Sequence, residues 1–155
     1  AMSKLSLVAF RIGAWTSIVT SLVHLAGHLA GPQTPKNETE AKLTELMTGY
    51  SFALPGAPRR TMMEFFNGFS LTFTLFLGLT GVLALAVARS RGAVPELFRF
   101  TAVALAGCFG ILLGISLKYF FLAPTVCLGV AFLAFAVSLA PGRGPAPNAQ
   151  EDPRR

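Results

Sequence analysis

The chain has 155 residues, of which 53% are hydrophobic and only 13% are charged, and its mean hydropathy is +0.60. Soluble globular domains carry about 25% charged residues, so this composition excludes an ordinary water-soluble domain and indicates an integral membrane protein. The formal net charge is +6, but the basic residues cluster at the ends of apolar segments. That distribution is typical of a topology signal, so we expect no nucleic-acid partner.

Four apolar segments are long enough, or nearly long enough, to cross a bilayer, which takes about 20 residues. They predict helices at Leu5–Leu29, Met62–Ala88, Phe98–Leu117 and Pro124–Ala140. The first segment is longer than the apolar part of a secretory signal and is interrupted by polar residues, so we expect it to be retained. The predicted fold class is therefore all-α, an integral membrane four-helix bundle in which residues 1–140 form one transmembrane domain.

The segment between the first two predicted helices, residues 31–60, is the largest predicted external loop. Gly31 and Pro32 are expected to end the first helix. Within the loop, Thr39–Gly49 predicts a short amphipathic helix, and Tyr50–Pro58 predicts an irregular return. The amphipathic helix could cover the mouth of the bundle as a lid or could rest on lipid, and the sequence leaves both interpretations open.

The charges predict the orientation of the bundle. The ends assigned to the cytoplasm carry an excess of basic residues, whereas lysines and arginines at the opposite ends are balanced by glutamates. The positive-inside rule then places both termini in the cytoplasm. Residues 141–155 are rich in proline, glycine and charge and are predicted to be a disordered cytoplasmic tail.

Two histidines inside the first predicted helix are the most informative polar residues. His24 and His28 are four residues apart and therefore share one helix face, which Thr16 and Thr20 continue. Because polar side chains are costly in hydrocarbon, this stripe is expected to face the interior of the bundle. The interior near the external side is therefore the predicted location of function.

Polar residues from three predicted helices reach the external side at a similar depth, and His24 lies about 6 Å deeper by the rise of 1.5 Å per residue. If they surround one chamber, His28 or Glu64 could transfer a proton while Asn67 or Tyr119 orients a substrate. The candidate catalytic residues are His28, Glu64, Asn67 and Tyr119, and the candidate ligand-binding residues are His24, Trp15, Thr20, Phe65 and Lys118.

Each of these candidates also has a structural interpretation that the sequence leaves open. A threonine hydroxyl or a backbone carbonyl could satisfy His24. Glu64 could be a first-turn carboxylate favoured by the helix dipole. Lys118 and Tyr119 could be interfacial anchors.

Metal and cofactor binding are not expected. Two histidines of one helix with a carboxylate resemble part of a zinc or non-haem iron site. Membrane-embedded desaturases and hydroxylases use many more histidines, however, and two histidines of one helix cannot ligate a haem from both sides. Cys108 and Cys127 have no metal-binding spacing and are interpreted as packing residues. We therefore predict no metal and no cofactor.

Several short motifs carry a resemblance to other proteins. They are the stretch from Gly27 to Gly31 followed by Thr34 and Pro35, the stretch from Met47 to Phe52, the stretch from Glu64 to Phe69, and the stretch from Lys118 to Pro124. In order and type they resemble a family of small bacterial four-helix membrane proteins of unassigned activity. That resemblance implies a four-helix bundle in the bacterial inner membrane and draws attention to His28, Gly68, Tyr119 and Pro124. In topology alone, the chain also resembles the DoxX-like proteins and the sterol-isomerase and sigma-2 receptor group, which bind sterols or cationic amphiphiles.

The function expected from these patterns is the binding of a hydrophobic lipid-, isoprenoid- or sterol-like ligand in the polar chamber. If the protein is an enzyme, it would be a cofactor-independent isomerase or cyclase that works by proton transfer. The alternative is a non-catalytic accessory subunit of a larger membrane complex, in which the polar residues would contact partner helices. Its expected partners are thus a membrane lipid or hydrophobic small molecule, and either further copies of itself or the subunits of such a complex.

Overall fold

The computed structural model describes residues 3–31, 34–53, 55–56 and 58–141. The predicted all-α class is confirmed, because helices account for most of these residues. Residues 142–155 of the predicted tail lie outside the described residues, and so does Pro32. The elements in chain order are α1 (Lys4–Leu29), α2 (Glu38–Gly49), β1 (Ser51–Phe52), β2 (Arg60–Thr61), α3 (Met62–Ser90), α4 (Pro95–Tyr119) and α5 (Leu122–Ser138).

Three of the described helices, α1, α3 and α4, are long and apolar enough to cross a membrane. The fourth predicted segment also forms a helix, but α5 has 17 residues and is shorter than the other three. Length and composition therefore support three membrane-spanning helices and leave the predicted fourth span as an expectation.

The helix ends follow local chemistry. Gly31 has a φ of 78°, a left-handed conformation that suits glycine, and its N–H donates to the His28 carbonyl at 3.2 Å, which closes α1. α4 begins at Pro95, three residues before the predicted Phe98, because proline fits the first turn of a helix. α5 begins at Leu122, so Pro124 falls in its first turn, where no N–H is needed.

The prediction of an irregular return over Tyr50–Pro58 was wrong for Ser51 and Phe52, which form a strand. β1 and β2 pair antiparallel, with Ser51 opposite Thr61 and Phe52 opposite Arg60. The N–H of Met62 also donates to the Tyr50 carbonyl at 3.2 Å. This short hairpin fixes the chain after α2 against the start of α3, an effect of tertiary contact that local sequence does not reveal.

The described chain divides into two compact units. The first contains the residues up to Ser17 and those from Thr80 onward. Its core is a group of phenylalanines centred on Phe135, whose ring centroid lies 5.4 Å from that of Phe10 and 5.3 Å from that of Phe109. The Ser6 hydroxyl donates to the Ser138 carbonyl. These contacts pack α5 antiparallel to α1.

The second unit, Ile18–Leu79, combines the C-terminal part of α1, α2, the hairpin and the N-terminal part of α3. Within it, α1 and α3 run antiparallel, because Ser21 lies against Gly78 while His24, further along α1, contacts Thr74. The Phe52 ring of β1 packs edge-on against Phe65 of α3, with centroids 5.6 Å apart. This unit contains most of the predicted site residues.

Candidate functional site

A set of polar contacts joins α1 and α3 in the second unit, and we call Ser21, His24, Ser70 and Thr74 the α1–α3 seam. The Ser21 hydroxyl donates to the Thr74 carbonyl at 2.8 Å. His24 Nδ1 lies 2.8 Å from Thr74 Oγ1, and that hydroxyl lies 2.9 Å from the Ser70 carbonyl oxygen. His24 therefore has the threonine partner that its structural interpretation called for.

The expectation that the histidine stripe faces inward holds only in part. The buried polar face of α1 is formed by Ser17 and Ser21, while Thr16 and Thr20 are half-buried and His24 is exposed. The predicted inward residues Thr16 and Thr20 each precede a buried serine by one position. The sequence gives the spacing of a polar stripe but not the rotation of its helix, so it did not identify which of the two faces points inward. His24 consequently lies at the edge of the α1–α3 contact, with one side of its ring open.

His28 and Asn67 extend the seam toward the ends of the two helices. His28 lies seven residues after Ser21 and Asn67 lies seven residues before Thr74, which is nearly two helical turns in each case. Each therefore shares a face with its seam residue, and both side chains are half-buried. Neither side chain forms a hydrogen bond within the described ranges.

Glu64 has a defined structural role at the start of α3. Its Oε2 accepts from the Thr61 N–H at 2.8 Å, and its own N–H donates to Thr61 Oγ1 at 3.1 Å. This reciprocal pair is a capping box, which satisfies two donors that a helix start would otherwise leave unpaired. Its second carboxylate oxygen, Oε1, takes no part in these bonds.

An open groove of about 560 Å³ runs along α3 from this capping box. We call it the α3 groove. Gly68 forms its floor, because glycine has no side chain and the space above it is open, with nothing within 4 Å of an added Cβ. One end is charged and the rest is largely apolar. Its lining residues are Arg60, Glu64, Phe65, Gly68, Phe69 and Thr72.

The α3 groove and the α1–α3 seam lie on different faces of α3. A helix turns about 100° per residue, so Thr72 lies about 200° around the axis from Thr74. The groove therefore opens away from α1. Of the predicted site residues, Glu64 and Phe65 line the groove, whereas His24 belongs to the seam.

Three predicted site residues belong to the first unit. Trp15 is exposed on α1, and Lys118 and Tyr119 are exposed at the end of α4. Lys118 Nζ lies 5.0 Å from the centroid of the Tyr119 ring, within range of a cation–π contact. The convergence of these residues with His28 and Glu64 stays a prediction.

The sequence interpretation did not assign Thr72 or Thr74 to a site, yet their spacing contained the signal. Glu64, Gly68 and Thr72 recur every four residues and share one face of α3. Ser70 and Thr74 have the same spacing on another face. Polar residues at four-residue intervals in an apolar helix indicate a functional or packing face, and α3 has two of them.

Within the described residues, no group of three or more histidine, cysteine, aspartate or glutamate side chains could hold a metal ion. Cys108 and Cys127 are free cysteines, the first exposed and the second half-buried. The predictions of no metal and no cofactor remain predictions.

The described residues form a predominantly α-helical structure with three helices of membrane-spanning length. No protein family model, curated protein or solved structure matches this chain. The resemblances described above therefore rest on short motifs and topology.

Proposed function

We propose that the chain is an integral protein of the bacterial inner membrane in which α1, α3, α4 and the shorter α5 all cross the bilayer, so that both termini lie in the cytoplasm, and that it binds a lipid-like amphiphile in the α3 groove. The three helices of membrane-spanning length support insertion. The excess of basic residues at one set of helix ends supports the orientation. The Arg60 end of α3 then lies at the external side of the membrane.

The polarity of the α3 groove is the observation that carries this proposal. Arg60 and Glu64 provide a charged end, while Phe65 and Phe69 line an apolar stretch over the floor at Gly68. A ligand with a polar head and a hydrocarbon body matches this order along the helix.

The chemistry available in the groove suits binding first. Arg60 can pair with an anionic or carbonyl head group. Glu64 is the predicted catalytic residue that lines the groove, so a proton-transfer isomerisation or cyclisation there would use its free Oε1. His28, the other predicted proton-transfer residue, does not line the groove.

The test fills the groove without disturbing the fold. Gly68→Leu places a side chain where nothing lies within 4 Å of its Cβ, and leucine is a better helix former than glycine. Gly107→Leu is the matched control, because Gly107 is also exposed, helical and open, but lies on α4. Native mass spectrometry of gently extracted protein then measures any lipid that remains bound.

Under this proposal, the parent chain and Gly107→Leu retain the same co-purifying amphiphile, and Gly68→Leu loses it while melting at the same temperature or higher. Equal retention by all three proteins would exclude the α3 groove as the binding site.

The alternative function, an accessory subunit of a larger membrane complex, is favoured by a separate observation. Most of the apolar surface of α3 and α4 is not covered by the rest of the chain. In the apolar 18-residue stretch of each helix, only 28% is buried for α3 and 22% for α4. On α4, Gly107 and Gly114 are exposed with open space above them, which allows close approach of a partner helix. Co-extraction with a defined set of partner proteins, lost in Gly107→Leu and kept in Gly68→Leu, would favour this function.

A further inference from the structure

The hydrogen bonds around Thr74 determine which nitrogen of the His24 ring carries the proton. A threonine hydroxyl has one hydrogen to donate. Thr74 Oγ1 lies 2.9 Å from the Ser70 carbonyl oxygen, which can only accept, so the hydroxyl hydrogen goes to that carbonyl. His24 Nδ1, 2.8 Å from the same Oγ1, must then donate. In the neutral imidazole, Nε2 is therefore left as a hydrogen-bond acceptor.

The ring is held in this orientation from more than one side. The Phe73 ring packs against it edge-on, with centroids 5.8 Å apart. The Ser21 hydroxyl bonds the Thr74 carbonyl and so ties the partner of His24 to α1. Because Nδ1 is engaged with Thr74 and His24 is exposed, Nε2 is directed away from the α1–α3 seam.

We propose that His24 binds the hydroxyl group of a membrane amphiphile through Nε2. His24 lies five residues before the end of α1, or about 7.5 Å along the axis, where an unpaired acceptor is costly in an apolar surrounding. An alcohol of the isoprenoid or sterol type supplies the missing donor. An ether, an ester or a quinone has only acceptors and does not. This inference depends on membrane insertion, but not on the α3 groove.

The surroundings of the ring favour a lipid over a partner helix as the donor. On α3, Phe66 and Phe73 lie seven residues apart on one face, and both are exposed beside the seam. Such large side chains keep another helix backbone at a distance, since helices in membranes approach closely through small residues. On α1, Gly27 leaves open space one turn beyond His24. The bulk of the two phenylalanine side chains therefore favours a lipid chain as the neighbour on this side of the ring.

Nitrogen NMR tests both the tautomer and the ligand. The chain contains two histidines, so labelling with ¹⁵N-histidine gives a spectrum of four ring nitrogens, which His28→Ala assigns. In phosphatidylcholine nanodiscs, we expect the neutral form of His24 to show a protonated Nδ1 and an unprotonated Nε2. Farnesol should shift the Nε2 resonance, whereas farnesyl methyl ether, which has no hydroxyl hydrogen, should leave it unchanged.

A conservative variant separates the ligand contact from the structural one. His24→Asn places an amide N–H near the position of Nδ1, so it keeps the Thr74 contact, while its carbonyl oxygen lies near the ring Cδ2 position and no acceptor remains at the position of Nε2. We expect its farnesol affinity to fall about tenfold, the effect of losing one hydrogen bond, with little change in melting temperature. Gly68→Leu should leave the farnesol-induced shift intact, which distinguishes this site from the α3 groove.

Three outcomes would overturn the proposal. The first is a protonated Nε2 with an unprotonated Nδ1 in the neutral ring. The second is equal binding of farnesol and its methyl ether. The third is an Nε2 shift that follows the ratio of protein to lipid instead of the farnesol concentration, because that would identify a second protein chain as the donor.

Discussion

Two glycines determine how closely α1 approaches its neighbours. A Cβ on Gly13 would lie 2.9 Å from the Phe135 ring, and a Cβ on Gly78 would lie 2.8 Å from Ser21 Oγ. Both distances are too short for a real contact, so each site requires the absence of a side chain. The two sites differ in what would have to move. Phe135 is fully buried, whereas Ser21 has a small side chain.

Gly13→Ala is expected to destabilise the protein by about 1–3 kcal/mol, because the added methyl group overpacks a core that cannot move aside. Gly107→Ala is the control, since open space surrounds that exposed helical position and alanine favours the helix by about 1 kcal/mol. Thermal unfolding in detergent should therefore show a lower melting temperature for the first variant and an equal or higher one for the second. Similar melting temperatures would show that Phe135 can repack.

Gly78→Ala is expected to weaken the seam by displacing the Ser21 hydroxyl from the Thr74 carbonyl. In a double variant with Ser21→Ala, the atom that clashes is gone, so the two changes should cost less together than the sum of their separate costs. Residues in contact commonly show such coupling at about 0.5–3 kcal/mol. A double-mutant cycle on melting free energies measures it, and strict additivity would contradict the Gly78–Ser21 contact.

The sequence predicts some of this residue-level detail and not the rest. A polar partner for His24 follows from the cost of placing an imidazole in an apolar membrane segment. The identity of Thr74 does not, because it depends on the rotation and register of α3 against α1. Side-chain spacing gives the faces of one helix, and only packing decides which face meets which.

At the scale of elements, α3 begins with the best-defined local signal in the chain. Thr61 and Glu64 have the spacing of a capping box, and the structure shows both of its hydrogen bonds. The start of α3 at Met62 agrees with the prediction, which rested on the extent of the apolar segment. The hairpin that precedes it was missed, because two-residue strands carry no sequence period and depend on contact with the start of α3.

The capping box separates the structural role of Glu64 from a role of its charge in the groove. Glutamine can replace glutamate in this motif, so Glu64→Gln should keep the stability of the parent, whereas Glu64→Ala should cost about 1 kcal/mol. If the charge also serves the ligand, Glu64→Gln loses ligand retention at unchanged melting temperature. If Glu64→Gln still retains the ligand, the role of Glu64 is limited to capping α3.

At the scale of the whole molecule, the fold class follows from composition, because long apolar segments with few charges form helices wherever water is excluded. The orientation rests on the charges at the helix ends and can be checked directly. The length of the last helix was less predictable, since α5 begins before Pro124 and ends before Ala140. The prolines near its two ends, Pro124 and Pro141, are compatible with more than one start and more than one end of the helix.

Cysteine labelling in intact cells tests the orientation. In a background of Cys108→Ala and Cys127→Ala, we place single cysteines by Gly92→Cys, between α3 and α4, and by Thr48→Cys in α2. A membrane-impermeant maleimide should label Thr48→Cys in intact cells and Gly92→Cys only after the membrane is opened. The reverse pattern would invert the topology, and labelling of both sites in intact cells would contradict a spanning α3.

The capping box also makes Glu64 a point of thermodynamic linkage. The same carboxylate accepts the Thr61 N–H and lines the α3 groove. A bound ligand that draws the carboxylate away leaves this amide without its acceptor, so occupancy of the groove and order in the first turn of α3 are reciprocal quantities. The hydrogen-exchange rate of the Thr61 amide should then rise when a ligand occupies the groove. Measuring it reports binding even when the chemical identity of the ligand is unknown.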